Sequence, residues 1–350
     1  MGKKVDAVVF TGTNKVELGK VELARMEPDE IMVKTHYTFG SSGTELRVLG
    51  AKYITPDRFP VVPGYSVVGQ IVEIGSAVKG YRVGDYVTGR NPKELVGTGS
   101  AWGGQAAYHI YTTRTQGRCL LMPPGTQERD YILSEVSAIS FRGVDSACPR
   151  AGESAVVIGQ GVIGAFAAAW LKRACCRVVA VEVLPGRRAR ALARGLDAAI
   201  DPAETNAVER IRELTNGGAD IVIEASGSPE GFAMAFKLLR GKSGGHEDNA
   251  MESGPFYGHY HPRLVAQANY INPLSVNPLA GGEALYISMP CDRSYSDRMR
   301  VMEHLRQGAL KTDDFVDEIL PWTEAPQAYQ ALRRQPDKVF SLAMDWSSVK

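Results

Sequence analysis

Short apolar runs broken by glycine, proline and aspartate fill the first 125 residues of this 350-residue chain. Residues 5–9 and 31–36 are apolar runs of strand length, and residues 61–86 repeat that pattern between turn residues. Such punctuation is typical of short strands joined by tight turns. A glycine-rich loop and another strand follow over residues 97–111. The pattern therefore predicts a β-rich first domain.

Beyond residue 125, helical stretches alternate with short strands, beginning with a helical period over residues 130–144. Such alternation predicts βαβ units and hence a parallel sheet. Two last strands, 316–320 and 340–344, are predicted to return to the first domain. The other predicted elements are strands 155–158, 177–181, 198–200, 220–224 and 284–288, and helices 165–174, 186–195, 207–215, 230–239 and 295–306.

One strand–turn–helix unit carries a dinucleotide-binding fingerprint. The apolar strand 155–158 runs into a G-x-G-x-x-G turn, and a helix rich in small residues follows. Glycines there allow a tight turn, close approach of the backbone to a pyrophosphate and close packing of helix on strand. The helix N-terminus offers N–H groups to the phosphates. A glycine-rich turn of some other α/β unit is the alternative. The predicted cofactor-binding residues of the turn are Gly159, Gly161, Val162, Ile163 and Gly164.

The acid that closes the next strand indicates which cofactor binds. Glu182 lies about 20 residues past the turn, where a carboxylate accepts hydrogen bonds from a ribose 2′-hydroxyl and repels a 2′-phosphate. The sequence therefore favours NAD over NADP.

A cluster of tyrosine and histidine follows the polar, glycine-rich stretch 240–254. It comes just past a strand of the predicted sheet, where loops face the nicotinamide end of the cofactor. Histidines titrate in the range that proton transfer needs, although histidines are also common in surface loops. We therefore take His259 as a candidate catalytic residue, and Tyr260 and His261 as candidate substrate-binding residues.

Composition points to a small-molecule partner. Forty basic and thirty-nine acidic residues give a formal net charge of +1, which indicates neither a nucleic-acid surface nor a membrane surface. We find no leader or span of about 18 apolar residues, so a cytoplasmic location is expected. Five cysteines without CxxC spacing fit reduced thiols rather than a disulfide scaffold or a zinc ribbon.

Several motifs resemble the medium-chain dehydrogenase/reductase superfamily over nearly the whole chain. Residues 41–45 (SSGTE) stand where zinc alcohol and polyol dehydrogenases have Cys-Gly-Thr-Asp, and 63–69 (PGYSVVG) where they have Pro-Gly-His-Glu followed by Val-Val-Gly. Residues 83–87 (VGDYV), 103–108 (GGQAAY) and 225–228 (ASGS) resemble three further family motifs. These motifs are most similar to those of a zinc-less branch of the superfamily that includes the bacteriochlorophyllide dehydrogenases.

The resemblance implies an architecture and a cofactor environment. The implied fold is α/β, with a Rossmann doubly wound parallel sheet domain (residues 126–314) and a β-rich GroES-like catalytic domain (residues 1–125 and 315–350). Ser226 would lie beside the adenosine. Arg187 stands where relatives place a basic residue beside the adenosine ribose, and with Arg188 it would be able to hold a 2′-phosphate if Glu182 did not oppose it. A homodimer or homotetramer is also implied.

The departures from the zinc enzymes concern the metal ligands. By the resemblance, and by ungapped spacing back from the fingerprint, the three catalytic ligand positions hold Ser42, Tyr65 and Glu135. A neutral hydroxyl and a phenol are poor zinc ligands at pH 7. No cysteine-bearing lobe for a structural zinc is present over residues 91–104. We therefore predict no metal, the alternative being an unfamiliar site of Glu135 with a nearby histidine.

Without zinc, side chains must handle the hydroxyl proton. The resemblance places Thr44 at the proton-relay hydroxyl, although a structural role at a chain turn is also open. Tyr65 is a candidate acid or orienting donor, or a packed aromatic, and Glu135 a candidate base or substrate ligand. Arg47 stands where many relatives have a second relay histidine, and its guanidinium suits a phosphate or a substrate oxygen. Ser42 is expected to contact substrate.

Three functions are compatible with the sequence. We favour a zinc-independent, NAD-dependent dehydrogenase that oxidises a secondary alcohol of a polyol, sugar or specialised metabolite to a ketone, reversibly. An NADPH-dependent quinone or enoyl reductase would also lack zinc, but Glu182 and the motif at residues 43–45 count against it. A non-catalytic NAD-binding protein is the third.

Overall fold

The computed structural model describes residues 2–115, 117–125, 127–240, 261–270, 273–275, 285–290 and 292–349. The chain divides into two compact units. Unit 1 comprises Met1–Val136 and Ser294–Lys350, and unit 2 comprises Ser137–Arg293.

Strands dominate the first 125 residues, and helices alternate with strands afterwards. The helices of the described residues are α1 (Thr44–Leu49), α2 (Ser134–Ser146), α3 (Val162–Arg173), α4 (Pro185–Ala193), α5 (Ala207–Leu214), α6 (Pro229–Leu238), α7 (Tyr295–Arg306) and α8 (Ala325–Arg334). The strands there are β1 (Lys4–Gly12), β2 (Lys15–Leu23), β3 (Glu30–Ser41), β4 (Val61–Val62), β5 (Ser66–Ile74), β6 (Tyr86–Gly89), β7 (Leu95–Val96), β8 (Gly99–Ser100), β9 (Tyr108–Thr112), β10 (Cys119–Leu121), β11 (Ser154–Ile158), β12 (Arg177–Val181), β13 (Ala198–Ile200), β14 (Ile221–Glu224), β15 (Arg263–Ala266), β16 (Tyr286–Ser288), β17 (Ile319–Pro321) and β18 (Ser341–Asp345).

Two sheets form unit 1. One has the strand order β7-β2-β1-β4-β8, and the other β10-β6-β5-β3-β18-β17, with β9 also paired to β3. Most side chains of the long strand β3 are buried, and β5, β9 and β18 all pair along it. The pairing of β18 with β3 confirms the predicted return of the C-terminal strands to the β-rich domain.

The core of unit 1 joins its N-terminal and C-terminal segments. Phe10 of β1 meets Tyr329 of α8 edge-to-face, with ring centroids 5.1 Å apart. Trp346 is fully buried and stacks on Trp322 at 5.1 Å. Aromatic burial of this kind is a large favourable term, so the last 30 residues are part of the fold of unit 1.

A six-stranded parallel sheet forms unit 2. Its order is β13-β12-β11-β14-β15-β16, which in chain order within the sheet is 3-2-1-4-5-6 and is that of the Rossmann fold. The predicted strands and helices of this part are confirmed, with small shifts at their ends. Helix α3 begins at Val162 instead of the predicted residue 165, because Gly161 already acts as its N-cap.

The predicted helical stretch over residues 130–144 divides into two kinds of helix. Residues Glu128–Leu133 form a 3₁₀-helix, and α2 begins at Ser134.

The cluster that contains His259 and Tyr260 lies outside the described residues, so its predicted role stays a prediction.

Candidate functional site

The glycines of the fingerprint turn are required by close packing. Gly159 has φ +86°, and a Cβ there would lie 2.8 Å from the backbone of Ser226. A Cβ on Gly164 would overlap the carbonyl oxygen of Gly159. Both positions therefore accept only glycine without movement of the backbone. At Gly161 a Cβ would meet its nearest atom, in Arg187, at 3.7 Å, so the space in front of the helix is open.

This difference predicts separate effects of two alanine substitutions. Gly164→Ala should lower the stability of unit 2 by about 1–3 kcal/mol, because the new methyl group is forced against backbone. Gly161→Ala should leave thermal stability nearly unchanged but weaken dinucleotide binding, because its methyl group would occupy the space that a pyrophosphate approaches. Thermal unfolding and calorimetric titration with NAD measure the two effects. Equal loss of stability in both variants would contradict this assignment of the turn.

The first turn of α3 presents backbone N–H groups. Its N-cap, Gly161, provides no side-chain cap, and the intrahelical hydrogen bonds begin with Ala165 N–H donating to the Gly161 carbonyl at 2.9 Å. The N–H groups of Val162 and Ile163 precede that bond and carry the partial positive charge of the helix N-terminus. This arrangement suits a phosphate group.

Glu182 is fixed at the same edge of the sheet. It directly follows β12 and is 6% exposed. One carboxylate oxygen accepts from the Gln160 N–H at 2.7 Å and the other from the Leu184 N–H at 2.9 Å. The carboxylate is thus held against the fingerprint turn, where each oxygen retains a further lone pair for a ligand hydroxyl.

The two arginines of α4 differ in their surroundings. Arg188 donates to the carbonyl oxygens of Glu182 and Val183 at 2.7 and 2.8 Å and pairs with Asp201 at 2.9 Å. Those contacts give Arg188 a structural role in holding the loop that follows β12. Arg187 instead places a guanidinium nitrogen next to Gly161, so it is the arginine nearer to the predicted phosphate position.

A second carboxylate, missed in the sequence, organises the loop after β14. Both the N–H and the hydroxyl of Ser226 donate to Glu224, whose side chain is fully buried. The Tyr270 hydroxyl donates to the same carboxylate, and burial together with this carboxylate raises the pKa of Tyr270. Ser226 therefore faces Gly159 from a loop with a defined conformation. An acid at the end of a parallel strand was the available signal.

Three predicted residues of unit 1 lie at the start of α1. Thr44 is its first residue, and Ser42 precedes the N-cap; both are partly exposed. Arg47 donates to the Tyr53 hydroxyl at 2.6 Å and lies 5.4 Å from the centre of the Tyr53 ring. Arg47 is therefore positioned by Tyr53 before any ligand binds.

Tyr65 is packed in a defined aromatic environment. It is 7% exposed and meets Trp102 edge-to-face at 5.9 Å. The neighbouring Gly64 has φ +92°, and its carbonyl accepts from the Gly104 N–H at 2.6 Å. Segment 63–65 is thus fixed on segment 104–105 of the same unit.

Glu135 forms a buried ion pair. It is 1% exposed, and its carboxylate lies 3.0 Å from Nε of Arg298 on α7 and 3.5 Å from Nε of Arg90. Arg298 also donates to the carbonyl oxygens of Gly117 and Thr88. Burial lowers the pKa of Arg298 to about 10, so its guanidinium remains charged at neutral pH. Two guanidinium groups therefore stabilise the ionised form of Glu135.

Glu45 is a buried acid that was not among the candidate residues in the sequence. It is the second residue of α1, is fully buried, and accepts a hydrogen bond from the Tyr329 hydroxyl. Burial raises its pKa to about 8, although the hydrogen bond from Tyr329 opposes the increase. Its position next to Thr44 was the only signal in the sequence.

The histidines of the described residues differ in burial. His261 is partly buried and belongs to unit 2. His109 is 1% exposed, and burial lowers its pKa to about 4, so it stays neutral at physiological pH.

The residues at the zinc-ligand positions do not fit a zinc ion. Ser42 and Tyr65 are poor ligands, and the carboxylate of Glu135 is already paired with a cation that would repel a metal. Over the described ranges, no group of three or more histidine, cysteine, aspartate or glutamate side chains is arranged to hold a metal. In the same ranges no helix is long and apolar enough to cross a membrane.

Two family models match this chain. The alcohol dehydrogenase GroES-like domain matches residues 27–124, and the zinc-binding dehydrogenase family matches residues 162–245. Together they span more than half of the chain, one in each compact unit.

Curated relatives are dehydrogenases of alcohols. The chain is 29% identical over 232 residues to sorbitol dehydrogenase of Halalkalibacterium halodurans, covering 61% of this chain and 67% of the relative. It is also 29% identical over 295 residues to D-guloside 3-dehydrogenase of Escherichia coli, covering 80% and 76%.

Solved structures share the fold. A short chain alcohol dehydrogenase from Escherichia coli CFT073, complexed with NADH, superposes with a TM-score of 0.81 at 16% identity, covering 98% of this chain and 100% of the other. Another structure of the same fold, with a TM-score of 0.79 and 20% identity, is bound to NADP. The protein therefore belongs to the medium-chain dehydrogenase/reductase superfamily of pyridine-nucleotide oxidoreductases, with a GroES-like domain and a Rossmann domain.

Proposed function

We propose that the protein is a zinc-independent, NAD-dependent dehydrogenase that converts a secondary alcohol of a polyol, sugar or specialised metabolite to a ketone, reversibly. The observation that carries the choice of cofactor is Glu182, a buried carboxylate held at the fingerprint turn by two backbone N–H groups. The names of the relatives, which act on sorbitol and a D-guloside, support a polyhydroxy substrate.

The fingerprint region provides the groups that NAD requires. Val162 and Ile163 would bind the pyrophosphate through backbone N–H groups, and Glu182 would accept from the adenosine ribose. Ser226 would border the adenosine, and Arg187 would neutralise phosphate charge. When bound, the nicotinamide accepts a hydride from the alcohol carbon.

We assign the transfer of the substrate's hydroxyl proton to residues of unit 1. Tyr65 would accept or donate that proton, because the contact with Trp102 fixes the position of its ring. Thr44 would relay the proton. Ser42 and Arg47 would bind substrate oxygens. The sequence alone supports the roles of three further residues. His259 would be catalytic, and Tyr260 and His261 would bind substrate.

Zinc independence is supported by the surroundings of Glu135. The ion pair with Arg298 occupies the carboxylate that would otherwise be the strongest ligand of the three. Glu135 would serve as a base only if substrate binding displaced its arginine partners. We therefore assign it first to substrate orientation and to the local structure, with general base catalysis as its second role.

Replacing Glu182 with serine should shift the preference between cofactors. The variant loses both the acceptor for a 2′-hydroxyl and the repulsion of a 2′-phosphate, so the ratio of NADP to NAD affinity should rise about tenfold or more, or about 1.4 kcal/mol. Calorimetric titration of both cofactors measures this ratio. Glu209→Ser, an exposed acid on α5, is the matched control and should leave the ratio unchanged. Wild-type preference for NADP would contradict the proposal.

The competing functions give different results in the same experiments. Turnover of quinones with NADPH, but not with NADH, would indicate a reductase. NAD binding without turnover of any alcohol or ketone would indicate a binding protein.

A further inference from the structure

Glu224 lies at the point where the strand order of the parallel sheet reverses, between β11 and β14. It is the last residue of β14, and its register partner is Ile158, the last residue of β11 before the fingerprint turn. In an open α/β sheet, ligands bind outside the carboxyl ends of the strands at this point. The Glu224 side chain is fully buried there, so donors of the protein must satisfy its carboxylate.

Four hydrogen-bond donors of unit 2 converge on that carboxylate. One oxygen accepts from the Ser226 N–H at 2.8 Å and from the Ser226 hydroxyl. The other oxygen accepts from the Gly227 N–H at 3.3 Å and from the Tyr270 hydroxyl. Three of the donors belong to residues 225–228, the loop between β14 and α6. The fourth, Tyr270, follows β15, so the carboxylate ties two successive loops at the same edge of the sheet.

The hydroxyl of Ser226 is already used inside this loop. It donates to Glu224 and accepts from the Ser228 N–H at 3.1 Å. Ser228 in turn caps α6, because its hydroxyl accepts from the Gly231 N–H at 2.8 Å. The effect of Ser226 on a neighbouring adenosine therefore depends on where the loop holds its backbone.

Aromatic packing holds Tyr270 in place. Its ring meets Phe232 of α6 edge-to-face, with the centroids 5.8 Å apart, and Phe232 meets Phe236 at 5.3 Å. Burial and the neighbouring carboxylate raise the pKa of Tyr270, so its phenol keeps its proton and remains a donor. Removal of the hydroxyl alone would leave this packing and release one of the groups that fix Glu224.

We propose that Tyr270 and Glu224 are positioning residues of the dinucleotide site, where Tyr270, acting through Glu224, holds residues 225–228 in the conformation that receives the adenosine. The inference rests on the proposed function for the identity of the dinucleotide. A loop that is ordered before the ligand arrives costs less free energy to order on binding. When the competent conformation is less populated, the apparent affinity falls by the same factor.

Calorimetric titration with AMP and with NAD tests the proposal. Tyr270→Phe should weaken both ligands by the same factor, about tenfold, because the adenosine is common to both. In turnover the variant should raise the KM for NAD without lowering kcat at saturating NAD, since the loop is not among the groups assigned to hydride or proton transfer. Tyr286→Phe changes an exposed tyrosine on β16 of the same sheet, and this matched control should alter neither ligand.

A double-mutant cycle shows whether Tyr270 acts through Glu224. Glu224→Gln keeps the size of the side chain but leaves one accepting oxygen instead of two, so it should weaken AMP more than Tyr270→Phe does. Adding Tyr270→Phe to that variant should then cause little further loss. Ser226→Ala removes another donor to the same carboxylate and should also weaken AMP.

Three results would overturn the inference: no binding of AMP to the wild type, an AMP affinity unchanged by Tyr270→Phe, or strict additivity of the two effects in the cycle. Wild-type preference for NADP, or absence of turnover with any alcohol, would overturn the proposed function instead. The titrations with AMP need neither turnover nor a nicotinamide, so they still decide the role of Tyr270.

Discussion

Replacement of Arg298 by methionine should lower the free energy of unfolding by about 3–5 kcal/mol, because it leaves the Glu135 carboxylate buried without its nearest cation. Arg298 is 1% exposed and also donates to the Gly117 and Thr88 carbonyls, so its loss removes several contacts of α7 in unit 1. Arg90, at 3.5 Å from Glu135, compensates only in part. Thermal and urea unfolding of the variant measure the effect.

A double-mutant cycle separates the ion pair from the other contacts of Arg298. Glu135→Gln combined with Arg298→Met removes both charges, and the double variant should be more stable than Arg298→Met alone. Strict additivity of the two single effects would show that Glu135 and Arg298 do not interact. That result would also remove the main argument against zinc binding at Glu135.

Glu45→Gln should increase stability at alkaline pH. The pKa of Glu45 is raised from 4.5 to about 8 by burial, so between these values the folded protein holds a proton that the unfolded chain has released. Stability of the wild type therefore falls as pH rises through this window, by on the order of 5 kcal/mol in total. The glutamine variant imitates the protonated acid and does not have this loss.

The measurement is the difference in Tm between wild type and Glu45→Gln. It should be near zero at pH 5, grow through neutral pH and reach its maximum above pH 8. Glu30→Gln is the control, because Glu30 is also buried but is paired with Lys93 at 2.8 Å. Its difference in Tm from the wild type should not grow with pH. A constant difference across this range would mean that Glu45 is ionised at all these pH values in the folded protein.

The fold was largely predictable from the sequence because its signals are local. The period of apolar positions and the turn residues locate β11 to β14 and helix α7, which begins and ends at the predicted residues. The fingerprint and the family resemblance predicted a Rossmann sheet, and the structure supplies its strand order. Strand β15 was missed because the polar stretch 240–254 precedes it, and the domain boundaries that were predicted stay predictions.

The site was less predictable because its partners are distant in the chain. Glu135 and Arg298 are 163 positions apart, and Glu45 and Tyr329 are 284 apart. Nothing in the local sequence of Glu135 indicates a guanidinium partner, so the sequence left the roles of base, substrate ligand and metal ligand open. Similarly, the acid next to Thr44 gains significance only from α8, which brings Tyr329 to it.

If the enzyme is independent of zinc, the metal-free protein should turn over its substrate. The protein is to be treated with a chelator, verified as free of metal by elemental analysis, and assayed with NAD and a panel of secondary alcohols and polyols. We expect activity equal to that of untreated protein and no increase on addition of zinc. Loss of activity in the metal-free protein that zinc restores would show that the enzyme depends on zinc.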